Sequence, residues 1–63
     1  QFEGFLIGNV VKYRMRAEYK GKYEEDMQKA NQYAYWLELA RKGAIINPTK
    51  DTLPENYVYT GVF

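Results

Sequence analysis

Residues 8–33 read GNVVKYRMRAEYKGKYEEDMQKANQY, and this stretch decides the fold. Two segments with helical spacing flank a turn at Lys20-Gly21-Lys22. At 100° per residue, Asn9, Lys12, Tyr13 and Arg16 share one side of the first segment, at spacings of three and four. Asp26, Lys29, Ala30 and Tyr33 do the same on the second. Gly21 adopts positive φ without strain and suits a helix C-cap. A turn this short sets the segments antiparallel, as a helical hairpin.

The pattern continues on both sides of this stretch. Phe2, Phe5, Leu6, Val10, Tyr13 and Ala17 recur at helical spacing from Gln1 to about Tyr19. Gly4 and Gly8 each weaken a helix by about 1 kcal/mol relative to Ala. Glycines four apart also let another backbone approach, so simple tolerance and a helix crossing both stay open. The second helix is expected from about Tyr23 to Lys42. Glu24, Glu25 and Asp26 open it and Arg41 and Lys42 close it, as the helix dipole favours. Ala30, Tyr33, Leu37 and Ala40 form its apolar stripe, widened by Ala34, Trp36 and Leu39. Gly43 follows as a natural stop. Beyond it, Asn47-Pro48 and Leu53-Pro54 break helices. Tyr57-Val58-Tyr59-Thr60 favours extended backbone. The expected fold is therefore all-α: an antiparallel helical hairpin over 1–43 and an extended, Pro-containing C-terminal arm over 44–63. That arm would lie over a neighbouring subunit, pair as a short strand, or stay loosely ordered.

Sixty-three residues form one small domain, which buries only about 60% of its unfolded surface and is marginal alone. The chain has no Cys and no His. Disulfides, thiolate zinc sites and imidazole ligands are excluded together. Completion by oligomerisation is the remaining common remedy, and a carboxylate-bound Mg²⁺ is still allowed. The net charge of +1 gives no bulk attraction to nucleic acid or membrane. No apolar run approaches the ~20 residues that span a bilayer. The chain starts at Gln1 rather than Met, so it is expected to be a piece of something longer.

The charges are unevenly placed. Residues 12–22 hold Lys12, Arg14, Arg16, Lys20 and Lys22 against Glu18 alone. Two readings of the hairpin compete. In one, Arg16 pairs with Asp26, Lys12 and Lys29 extend along the surface, and Tyr13 and Tyr33 edge the core. In the other, Lys12, Arg16 and Lys29 converge on an anion that relieves their mutual repulsion. A phosphate suits Arg because the guanidinium fork binds two oxygens. Asn9 would orient the phosphate or a base. Asp26 would steady Arg16, hold Mg²⁺ or accept a proton. Tyr33 or Tyr13 would stack on a base or close the core. Phosphate loops of the G-x-x-x-x-G-K-[ST] and G-x-G-x-x-G types are absent. Without Ser, Cys or His the usual nucleophile–base arrangements are absent too, and Thr49, Thr52 and Thr60 lack an evident base. Catalysis would then work by positioning and charge, as phosphoryl transfer permits. Basic residues interleaved with Tyr13, Tyr19 and Tyr23 also allow nucleic-acid binding. The acidic run 24–26 beside them makes that the weaker reading.

The spacing G-N-x-x-K-Y-x-x-R-A, a Lys-rich turn, then E-D-x-x-K-A-x-x-Y carries a resemblance over about residues 1–40. It resembles a small domain common in bacteriophage genomes and catalogued as a domain of unknown function. It is also similar to the C-terminal part of the P-loop-less nucleotide kinase of T7-like phages. The matching residues are Gly8, Asn9, Lys12, Tyr13, Arg16 and Ala17, then Lys20 and Lys22, then Glu25, Asp26, Lys29, Ala30 and Tyr33. The resemblance implies a phage protein of the host cell cytoplasm, an oligomer, and a nucleotide- or phosphate-binding role. It extends to nucleoside monophosphate kinase activity with ATP and Mg²⁺, with Arg16 and Asp26 as catalytic residues. The T7-like kinase has a longer N-terminal region, and the tail after Gly43 departs from the family pattern. The rival reading is a non-enzymatic phage effector. It would bind a host or defence protein through Tyr57, Tyr59 and Phe63, or sequester a signalling nucleotide. An assembly component that only oligomerises is a third.

Overall fold

The computed structural model describes residues 2–19 and 21–59. Two helices, α1 (Phe2–Tyr19) and α2 (Tyr23–Arg41), pack against each other. No strand occurs among the described residues, so the fold is an all-α hairpin. Lys20, Thr60 and Phe63, named above, lie outside the described residues. The helices run antiparallel. At one end Arg41 meets Glu3 across the pair, and farther along Tyr33 touches both Phe5 and Tyr13.

The core is a seam of small contacts. Leu6, Val10 and Ala17 of α1 face Ala30, Ala34 and Leu37 of α2, all buried. Side chains of the Val or Leu type contribute about 1.5–3 kcal/mol each when fully buried. Half of this seam is alanine, so little apolar surface is removed, but the axes can approach closely. Phe2 and Phe5, expected in the stripe, are instead more than half exposed. They stack on each other with ring centroids 6.4 Å apart, at the margin of the seam.

The ends of α2 obey local chemistry. Gly21, at φ +72, turns the chain between the helices, and Asp26 N–H donates to the Lys22 carbonyl at 3.0 Å to open α2. At the other end Gly43 sits at φ +81. Its N–H reaches the Ala40 carbonyl and the Ala44 N–H reaches that of Leu39, each at 3.0 Å. This pair of bonds satisfies carbonyls that the last helical turn leaves free.

Residues 44–59 fold back on their own hairpin. Asn47 and Asp51 close a tight loop: Asn47 N–H donates to Asp51 Oδ2 at 2.7 Å, and Asn47 Oδ1 accepts from Thr49 N–H at 3.0 Å. The loop is held against α2 through the Asp51 carbonyl, which accepts from Trp36 Nε1 at 2.7 Å and from Gln32 Nε2 at 3.2 Å. Leu53 N–H returns a bond to Gln32 Oε1 at 2.8 Å. Farther on, Tyr57 OH donates to Glu38 Oε2 at 2.8 Å, and its ring meets Tyr35 edge-on. Arg14 of α1 covers the Tyr59 ring at 4.5 Å. The extended propensity of 57–59 is thus spent on contacts with the helices and not on a strand.

Candidate functional site

Of the residues singled out on the two helices, Lys12, Arg16, Lys29 and Tyr33 meet around the ring of Tyr13, and Asn9 and Asp26 do not. Tyr13 of α1 and Tyr33 of α2 lie nearly parallel, 8° apart, with centroids separated by 5.9 Å. Lys12 Nζ is 5.4 Å from the Tyr13 centroid, Lys29 Nζ 5.5 Å and Arg16 Cζ 5.7 Å. These distances are within cation–π range. Lys12 and Arg16 flank Tyr13 by helical spacing alone, whereas Lys29 arrives from the other helix. All three cationic side chains are exposed.

Beside this cluster is a pocket of about 240 Å³ lined by Tyr13, Lys29, Gln32, Tyr33 and Trp36. Trp36 stands at 89° to Tyr33 with centroids 5.4 Å apart. Gln32 and Trp36 were not anticipated as lining residues. Their signal was present, because 29, 32, 33 and 36 share a face of α2 at helical spacing. The loop that fixes both side chains carried no such signal.

Other expectations resolve differently. The Arg16–Asp26 ion pair is not formed; among the described residues the ion pair is Arg41–Glu3, at 3.2 Å. Asp26 is buried, only 2% exposed, at the turn end of the seam. Its Oδ2 has no hydrogen-bond partner. A resident Mg²⁺ does not fit this position. The ion keeps several waters and wants six oxygens, and no grouping of three acidic side chains suited to a metal occurs among the described residues. Asn9 donates from Nδ2 to the Phe5 carbonyl at 2.9 Å, one turn back in α1. A larger depression of about 640 Å³ lies at the open end of the hairpin, lined by Phe2, Glu3, Ala40, Gly43, Ala44 and Ile46. Among those lining residues Glu3 is ionised, and it is paired with Arg41.

Of the residues assigned to protein recognition, Tyr57 and Tyr59 are half-buried against Glu38 and Arg14. Burial, and then the bond to the Glu38 carboxylate, hold the Tyr57 phenol well above the usual tyrosine pKa. No described helix is long and apolar enough to cross a membrane.

No curated protein and no solved structure matches the chain. The family described as a protein of unknown function, DUF3310, matches residues 1–35, which hold all of α1, the turn, and the part of α2 that carries Asp26, Lys29 and Tyr33. The cation-and-tyrosine cluster therefore sits wholly inside the matched segment, and the chain belongs to the DUF3310 family.

Proposed function

We propose that the protein binds a nucleotide, or another phosphorylated small molecule, at the Tyr13–Tyr33 face of the hairpin. One observation carries this reading: cations from both helices, Lys12, Arg16 and Lys29, gather within 5.4–5.7 Å of one aromatic ring. Like charges brought together favour an anion between them. A planar base finds aromatic walls in the adjoining pocket at Tyr13, Tyr33 and Trp36. In this reading Lys12, Arg16 and Lys29 hold phosphate oxygens, and Arg16 contributes two parallel bonds. Asn9 Oδ1 accepts from the base or sugar.

The resemblance to the nucleotide kinase of T7-like phages, which rests on the sequence spacing alone, extends the proposal to phosphoryl transfer from ATP to a nucleoside monophosphate. Arg16 would then stabilise the charge of the moving phosphoryl group, and a Mg²⁺ carried by the nucleotide would neutralise part of the phosphate charge. The setting would be the host cytoplasm and the working form an oligomer. Asp26, buried and apart from Arg16, is assigned no proton transfer. The non-enzymatic effector remains the second reading, with Tyr57 and Tyr59 as its anchors only if the 44–59 segment leaves the hairpin.

Titration calorimetry with each deoxynucleoside monophosphate, and with ATP–Mg²⁺, tests binding. Lys12→Ala, Arg16→Ala and Lys29→Ala should each weaken it by about 10–150-fold, in line with charge-assisted bonds of about 1.5–3 kcal/mol. Folded variants that bind as well as the parent remove the site. Diphosphate formation, followed by chromatography, separates kinase from binder.

A further inference from the structure

Helix α1 has two apolar faces, and the hairpin uses one. Leu6, Val10 and Ala17 form the buried face. At 100° per residue, Gly4, Gly8, Val11, Met15 and Tyr19 fall within an arc of about 80° on the opposite side. A surface helix normally puts its charges there. In α1 every charged residue, Glu3, Lys12, Arg14, Arg16 and Glu18, falls outside that arc. Val11 is 39% exposed, Met15 58% and Tyr19 78%. A Cβ added at Gly4 or Gly8 would meet nothing within 4 Å.

We propose that this face packs on the same face of a second copy, with the two α1 helices antiparallel about a two-fold axis between Val11 and Lys12. The face is complementary to itself in that arrangement. The two glycines are four residues apart, and so are the two largest side chains, Met15 and Tyr19. A two-fold axis at that point brings Met15 of one copy level with Gly8 of the other, and Tyr19 level with Gly4. Side chains then fill the spaces that the missing Cβ atoms leave, while Val11 packs beside the axis. Such an interface is isologous and closes at two copies.

The area agrees with this occupant. Gly4 to Tyr19 spans about 22 Å of helix. Helices packed 8–10 Å apart over that length bury on the order of 500 Å² each. The total of about 1,000 Å² lies at the lower limit for an interface and in the range of weak, reversible association. The seam within one chain, half alanine, supplies the reason for the pairing: burying Met15 and Tyr19 adds apolar contact that a single hairpin lacks.

Sedimentation equilibrium of the 63-residue chain, from about 1 to 500 μM, tests the proposal. The expected mass rises to twice 7.5 kDa. Met15→Glu should return it to that of one chain. Gly8→Leu should do the same with equal or greater helicity by circular dichroism, since Leu is the better helix former and meets open space within one chain. The chain has no cysteine of its own, so the double variant Gly4→Cys/Tyr19→Cys should oxidise to a covalent dimer. Either single variant should not. A single-chain mass at 500 μM overturns the proposal. So does a dimer that survives both substitutions, or cross-linking by Gly4→Cys alone, which marks a parallel pairing.

Discussion

Asp26 stands where the packing of two helices would place an apolar side chain. It continues the line of Ala30, Ala34 and Leu37 toward the turn, and its Oδ2 is buried without a partner. The dipole at the start of α2 favours an acidic side chain by only about 0.3–1 kcal/mol, against about 1–3 kcal/mol for leaving a buried acceptor without a partner. Asp26→Leu, which removes that acceptor, should therefore raise stability by about 1 kcal/mol, read from urea unfolding. A loss of stability would mean that the carboxylate has a partner outside the single hairpin. Tyr57 gives the second test at this scale. Its neutral form is favoured in the fold, first by burial and then by the bond to Glu38. With the pKa raised on folding, its contribution is complete below about pH 10, the ordinary tyrosine value. It is lost as the pH rises from there through the folded value. Tyr57→Phe should cost about 1 kcal/mol at pH 8 and should show a smaller drop than the parent between pH 8 and pH 11.

At the scale of the element, α2 is the better specified helix. Its first turn is acidic, its last turn ends on Arg41, and Gly43 closes it at φ +81. Gly43→Ala should cost about 1 kcal/mol, because a Cβ is disfavoured at positive φ; thermal unfolding reads the difference. The limits of both helices were legible for these reasons, since caps and glycine stops are local signals. The 44–59 segment was legible as a break in helix and an extended arm, but its course over the hairpin was not. Its course depends on Gln32, whose amide bonds the Asp51 carbonyl and the Leu53 N–H together. A glutamine in mid-helix does not announce that it will pair with backbone 19–21 residues away.

Over the whole molecule, stability rests on few large side chains. Leu6, Val10 and Leu37 are the buried residues larger than alanine in the apolar seam. Leu37→Ala removes one of them and should cost about 2–5 kcal/mol. That is a large share of what so small a domain holds in total. Loss of cooperative thermal unfolding by circular dichroism is the expected result. The candidate site belongs to this scale as well. Lys12, Tyr13 and Arg16 were readable together because one helix orders them by its period. Their approach to Lys29 and Tyr33 needed the antiparallel register, and the pocket wall at Trp36 needed the returning loop.

By itself the sequence determined two helices, their polarity, the turn between them and the two positive-φ stops. Each of these follows from interactions within a few residues, which periodicity, dipole and glycine chemistry express locally. Only the tertiary structure decided that Arg16 turns to Tyr13 and not to Asp26, that Phe2 and Phe5 stay outside the seam, and that 44–59 lies on its own α2. Those outcomes depend on which groups compete for the same small volume between two particular helices, and no single segment carries that information.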